Sequence, residues 1–428
     1  MLSDAQRAGP ATAAERILFI DVLRGMALFG ILAANMRGFN APASVYGDIK
    51  VLFHGTADMI AQGFIDIFIQ GKFVTLFSFL FGLGFALQLS RAEARGANFM
   101  SFYPRRIIAL GIFGLIHGIL IWWGDVLTAY AIAASLLLLM RTKSQKIVLR
   151  WAFIVMAIPA VVITGFFIAG RLGHGPAAQP PKPPNMEKIN SIIAIYSHGT
   201  IPQMLHQNWE NWKSELPAIG FGFYAFCLFL LGLWVFRAGI IENLGRYKPV
   251  LKRVALWCIP IGLALNTFVT LVNLRPASQK PALLGYVANI LLMPSAHLLS
   301  AGYAAGLAVL FQNEAWRRWL TPFAAVGRMA LTNYLTESIL CTLFFYNYTT
   351  GLYGRVGPAI DLIPTVVLYG AQIMFSNWWL ARFRFGPMEW LWRGMTYGKF
   401  PSMRKEEPVA IPLPDAQGPD AASASGVS

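Results

Sequence analysis

The sequence is poor in charge. Of its 428 residues only 13% are Asp, Glu, Lys or Arg, about half the share found in a soluble domain, which excludes an ordinary water-soluble fold. Acids are the scarcer sign, 20 against 35 bases. Cysteine is nearly absent. Cys227, Cys258 and Cys341 all fall in apolar runs, no two have metal or redox spacing, and they read as packing residues. Histidines and cysteines do not cluster, so no metal site and no bound cofactor are expected. There is no Walker loop, no dinucleotide-binding glycine fingerprint and no serine elbow, which argues against ATP-driven pumping by this chain.

What fills the sequence instead is apolar: 56% hydrophobic residues and a mean hydropathy of +0.53. Stretches of roughly 20 apolar residues recur, each long enough for a hydrocarbon core about 30 Å thick. Ten can be drawn, at 17–36, 57–90, 105–123, 125–141, 148–170, 216–236, 254–274, 283–311, 320–347 and 358–381. The fold class is therefore all-α, a polytopic transmembrane helical bundle in contact with membrane lipids. The net charge of +15 would suggest nucleic acid in a soluble protein. Here the bases crowd every second loop: Arg91, Arg95, Arg105 and Arg106; Arg141, Lys143, Lys146 and Arg150; Arg237 to Arg253; Arg317 and Arg318; Arg382 to Lys399. That is the positive-inside pattern. It assigns the charge to topology rather than to nucleic acid, and it puts both termini of a ten-span chain in the cytoplasm.

The domain reading follows. Residues 1–16 form a cytoplasmic N-terminal segment, 17–400 the membrane domain, and 401–428, rich in Ala, Pro and Ser, a disordered cytoplasmic tail. The first apolar run is too long for a signal-peptide core and is retained as a span. The longest outer loop, 171–215, opens with a proline-rich piece and continues with Ile189, Ile192, Ile193 and Tyr196 at helical spacing. This predicts an amphipathic helix on the outer membrane surface. In the long second segment, Asp58, Gln62, Asp66 and Gln70 repeat every four residues, which predicts a half-exposed helix leading into a crossing at 72–90.

Ionisable groups in hydrocarbon are costly and need partners or water. In "ERILFIDVLRGMALFGILAANM", Asp21 and Arg24 are three residues apart, close enough on a helix to pair. Asn35 lies on the same side of the wheel, and a cytoplasmic anion such as a phosphate is a ligand Arg24 could meet. A structural ion pair explains the same residues. In "LIHGILIWWGDVLTAYAI", His117 precedes Asp125, which opens the next helix. The two read either as a helix cap beside a buried histidine or as a couple in which the carboxylate orients an imidazole that moves protons. His54 is a loop histidine ahead of Asp58 and Asp66. His297 reads as a packing residue. Asn333, Tyr334 and Glu337 share a face of the ninth span, and Glu337 needs a partner on another helix, with Arg24 and His297 as candidates.

Three blocks, "ERILFIDVLRGMALFGILAANM", "GKFVTLFSFLFGLGFAL" with "HGILIWWGDVLTAYAI", and "GRMALTNYLTESIL" with "FGPMEWLWRGMTYGK", occur in the order of the YeiB-like bacterial membrane family, domain of unknown function 418, which the chain resembles over about residues 15 to 400. The Asp-x-x-Arg-Gly opening with a later Asn also resembles the first helix of heparan-α-glucosaminide acetyltransferase and related membrane acyltransferases. That resemblance implies an acyl-CoA donor as co-substrate at the cytoplasmic face and a glycan or lipid acceptor beyond it, in the bacterial inner (plasma) membrane. It implies a catalytic role for His54, with Asp58 or Asp66; His117, which sits in the YeiB-like signature, is the competing base with Asp125, and Asp21, Arg24, Asn35, Asp66 and Glu337 are read as the donor-binding residues. Two other classes fit the same residues: a proton-coupled secondary transporter or exporter using the buried acids and histidines as a relay, and a noncatalytic envelope scaffold.

Overall fold

A computed structural model of the chain describes residues 18–45, 49–172, 184–215, 219–275, 279 and 281–405. The N-terminal segment 1–16, the proline-rich piece up to residue 183 and the tail beyond 405 lie outside them. The described helices, in order, are α1 Leu18–Asn40, α2 Thr56–Phe64, α3 Lys72–Ala94, α4 Tyr103–Ile116, α5 Leu127–Leu138, α6 Gln145–Arg171, α7 Met186–His198, α8 Ile201–Glu215, α9 Ile219–Arg237, α10 Leu244–Asn273, α11 Ala282–Phe311, α12 Glu314–Arg328, α13 Ala330–Phe345, α14 Pro358–Arg382 and α15 Pro387–Tyr397. The only β pairing among the described residues is an isolated bridge between Phe383 and Arg404. The all-α expectation holds.

Among the described residues seven helical stretches are long and apolar enough to cross a membrane: Leu18–Asn40, Thr56–Ala94, Phe99–Ile121, Gln145–Arg171, Leu244–Asn273, Ala282–Phe311 and Pro358–Arg382. Shorter apolar helices stand beside them in α5 and α9. The surface supports a membrane setting. Helix α6 exposes Phe153, Ile154, Ile158, Val161, Val162 and Phe166, an apolar patch that a monomer in water rarely tolerates.

Helix α1 is the hub, buried along almost its whole length and packed by α12, α3, α13 and α14. Between helices in lipid there is no hydrophobic drive, so close approach at small residues carries the packing. At the tightest crossing, a Cβ on Gly25 would fall 2.1 Å from the Phe323 carbonyl oxygen, and one on Gly327 would fall 1.9 Å from that of Asp21. The glycine after Arg24 thus lets α12 lie directly on α1. Tyr369 of α14 donates to the Gly25 carbonyl at 2.6 Å and fastens a third helix there.

Several segments differ from a smooth span. The second expected span is broken at Gly71, whose φ of 82° suits glycine. Before the break, residues Ile65–Ile69 form a π turn. The expected span 320–347 is two helices meeting at Met329. Apolar length does not reveal this break because its cause is tertiary: Glu389 of α15 accepts from the Leu331 and Thr332 amides at 2.6 and 3.1 Å and so starts a new helix. The stripe expected on the outer membrane surface is found in α7, but Ile189, Ile192 and Tyr196 are buried against the protein itself. Ile189 packs with Val45 and Ile49, and Tyr196 with Tyr346 and Tyr353. The outer loops supply enough apolar surface to take the stripe that a bilayer would otherwise have covered.

Candidate active site

A cavity of about 260 Å³ opens among α1, α3, α4, α13 and α15. Its lining divides by chemistry. Arg24, Arg91, Arg95, Arg106, Arg328 and Arg393 contribute six guanidiniums, and Asp21 and Glu389 two carboxylates. The remainder is mostly apolar, from Leu28, Ile31, Phe77, Leu80 and Phe81 to Val126, Leu127 and Tyr334. Arg91, Arg95, Arg106 and Arg393 come from segments that the positive-inside pattern assigns to the cytoplasm, Arg24 and Arg328 from within the expected spans 17–36 and 320–347.

Local structure places each charge. Arg24 Nη1 lies 3.0 Å from Asp21 Oδ1, the pair expected from their spacing. The Arg106 guanidinium sits 3.5 Å from the centre of the Trp392 ring, and the indole donates to the Arg106 carbonyl at 2.9 Å. Arg393 stands over Phe385 at 4.6 Å. Stacking of this kind holds a guanidinium flat with its edge donors turned outward. Glu389 also accepts from the Thr332 hydroxyl at 2.6 Å. Burial pushes its carboxyl above the ordinary range, and the hydrogen bonds from Thr332 and the Leu331 amide pull it back. Glu389→Ala removes these bonds at the start of α13. It lowers the stability of the detergent-solubilised protein by about 1–3 kcal/mol, read as a fall in melting temperature, whereas Glu389→Gln retains most of it.

Behind the apolar end of the cavity lies a second group. His117 opens a five-residue π turn, His117–Ile121, closed by the Trp122 amide donating to the His117 carbonyl at 2.8 Å. Such turns recur at functional sites because they turn a side chain out of helical register. His117 Nδ1 is 3.1 Å from Asp125 Oδ1, and Nε2 is 2.8 Å from Ser338 Oγ. The His117 and Asp125 side chains have no solvent exposure, nor has Ser338. Asp125 also accepts from the Leu127 and Thr128 amides at 3.0 and 2.8 Å. It is therefore a helix cap and a histidine partner at once, which joins the two readings that the sequence left open. The Tyr334 ring touches both places: it lines the cavity, and its centre is 5.0 Å from that of His117. On the far side, Trp212 of α8 covers Gly118, where a Cβ would meet the indole at 2.5 Å.

The other expected site residues are not gathered here. Asp66 is 3.2 Å from Arg37 Nη1 and accepts from Gln62 at 2.8 Å. Arg37, missed in the sequence, pairs with it from α1. Asn35 is half-buried and His54 exposed, and neither lines the cavity. Glu337 is buried beside Ser338, but neither candidate cation pairs with it: Arg24 pairs with Asp21, and His297 stacks on Tyr224 at 5.1 Å. One lined space therefore holds Asp21 and Arg24, with His117 and Asp125 just behind its wall, and the other four candidates lie apart from it. Ser338 was also missed. It stands 221 residues from His117 in sequence, and nothing marks it among the hydroxyls of "LTNYLTES" except its place one turn after Tyr334.

A family model described as "Protein of unknown function (DUF418)" matches residues 235–399. Over 419 residues the chain is 33% identical to the uncharacterized protein YxaH of Bacillus subtilis (strain 168), covering 94% of this chain and 99% of the relative. The chain belongs to the DUF418 family. An uncharacterized 39.9 kDa protein in the amylase 3' region of Bacillus acidopullulyticus is 30% identical, covering 93% of this chain and 99% of its own. The uncharacterized protein YeiB of Escherichia coli (strain K12) is 28% identical, covering 89% and 96%. No solved structure matches. The part matched by the DUF418 model supplies Arg328, Tyr334, Ser338, Glu389 and Arg393, three of the cavity's eight charged residues together with the tyrosine and the serine behind it.

Proposed function

We propose that this DUF418 protein is an acyltransferase of the bacterial plasma membrane. It takes an acyl-CoA-type donor from the cytoplasm and passes the acyl group to a hydroxyl or amine of an extracytoplasmic glycan or lipid. The observation that carries this reading is the junction at Tyr334: an arginine-mouthed, apolar-bodied cavity ends on the residue that packs against a carboxylate-oriented histidine. Guanidiniums bind phosphate through charge-assisted, often bidentate hydrogen bonds, while the apolar body suits an acyl chain and its linker. His117 then serves as the base that takes the acceptor's proton, and Asp125 holds it in the working tautomer. The resemblance of the Asp-x-x-Arg-Gly opening to membrane acyltransferases points the same way.

Binding of labelled acyl-CoA to purified protein, from acetyl to palmitoyl, tests the reading. Arg24→Gln and Arg106→Gln each weaken binding about tenfold or more, the size of one lost charge-assisted contact. The loss shrinks at high salt, where exposed charges are screened. Absence of both binding and hydrolysis at every chain length would overturn the reading.

A further inference from the structure

The group behind the cavity contains more than a histidine and its acid. We infer that Ser338 is the nucleophile of an Asp125–His117–Ser338 triad and carries the acyl group as an ester on its way from donor to acceptor. This rests on the acyltransferase reading above and adds a covalent step to it.

The hydrogen bonds fix the direction of proton flow. An ionised carboxylate only accepts. Asp125, already taking two backbone N–H groups, requires the proton of the imidazole to sit on Nδ1. Nε2 is then left with its lone pair, and the bond at 2.8 Å has the Ser338 hydroxyl as donor. This is the orientation in which histidine strips a serine hydroxyl of its proton, with the acid acting through the opposite ring nitrogen. A neutral imidazole needs one acceptor and one donor to satisfy its two nitrogens. Here its two nitrogens meet an acid that can do nothing but accept and an alcohol that can do both.

Position supports the same role. Ser338 lies one helical turn beyond Tyr334 on α13, and Val126 and Leu127, which follow Asp125 directly, form cavity wall. The serine is therefore one side chain away from the closed end of the donor space. On its other side stand the π turn and the covering helix α8. A group reached from the cytoplasmic cavity and capped from the outer side is suited to a relay, because donor and acceptor need not occupy one space together. Swinging of the Tyr334 side chain opens the way.

In the first step Ser338 Oγ bonds to the thioester carbonyl carbon as its proton passes to His117 Nε2. The C–S bond breaks, and the leaving thiolate takes that proton, giving a serine ester and a free thiol. In the second step the acceptor's hydroxyl or amine gives its proton to His117 and attacks the ester carbonyl. The C–Oγ bond breaks and Ser338 regains a proton. No oxidant, reductant or metal enters the balance.

The test uses full-length protein in detergent with radiolabelled acetyl-CoA and palmitoyl-CoA, quenched in acid and mapped by peptide mass spectrometry. Wild type carries label on the peptide holding Ser338, removed by alkaline but not neutral hydroxylamine. Ser338→Ala loses it. Ser338→Cys carries it as a thioester that neutral hydroxylamine does remove, a change that no structural role would produce and that does not depend on the alanine variant folding. His117→Gln slows labelling by about 10²-fold or more. If wild type consumes donor while Ser338 stays unlabelled, the relay is overturned and the acyltransferase reading stands. If no donor is consumed, the acyltransferase reading fails, and a fluorophosphonate probe decides the nucleophile alone: His117-dependent labelling of Ser338 upholds it and an unmodified Ser338 overturns it.

Discussion

Asp125→Asn and His117→Gln each lower acyl transfer by about 10²- to 10⁴-fold, the usual worth of a positioned base and of its correct tautomer, while donor affinity stays within about twofold. The two effects arise differently. Gln at 117 removes the group that accepts the proton. Asn at 125 keeps shape and can still accept from the Thr128 amide, but with its NH2 in the place of Oδ1 it presents a donor to Nδ1 and no longer accepts from the Leu127 amide. The imidazole then turns its proton toward Ser338, and the serine has no base. Combining the two changes costs little more than either alone, because both disable one unit. Single-turnover rates with saturating donor read this directly. Transfer retained within threefold in both variants would remove His117 from the chemistry.

The second large effect concerns the fold. Gly327→Ala puts a methyl group 1.9 Å from the Asp21 carbonyl oxygen, and the neighbour is helix backbone, which has no rotamer to yield. Helices α1 and α12 must part. The expected loss is about 1–3 kcal/mol or more, seen as a fall in melting temperature, with weaker donor binding because Asp21 and Arg24 stand on the displaced turn. Gly165→Ala on helix α6, whose apolar face is exposed and where an added Cβ meets nothing within 4 Å, is neutral or slightly stabilising through helix propensity. Equal melting temperatures for the two variants would contradict the crossing.

These residues also show how far the sequence could be read. The helical class was plain from apolar length, and the Asp21–Arg24 pair from a spacing of three. His117 and Asp125 were visible as alternatives because they flank one short turn. Arg91, Arg95, Arg106 and Arg393 of the cavity mouth were visible only as loop charges: counting bases by side does not tell Arg317, which pairs with Glu314 on the surface, from Arg106, which stacks under Trp392. The Glu389 contact that splits α12 from α13 spans 58 residues, and Ser338 meets His117 across 221. Neither is set by periodicity, because both depend on how distant helices are laid together. Glu337 went astray for the converse reason, since an intramembrane acid suggests a cation, yet both proposed cations are engaged elsewhere.

The turn at His117–Ile121 holds one residue more than an α-helical turn would, bridged by the bond from the Trp122 amide to the His117 carbonyl. Chain length between Gly114 and Asp125 is consequently not free to drift. Deleting a single residue there would let the wide loop relax into regular helix, but everything beyond it would rotate by about 100°, taking the carboxylate away from the imidazole. A shortening that an ordinary loop absorbs without notice would here silence the site while leaving every side chain in it intact.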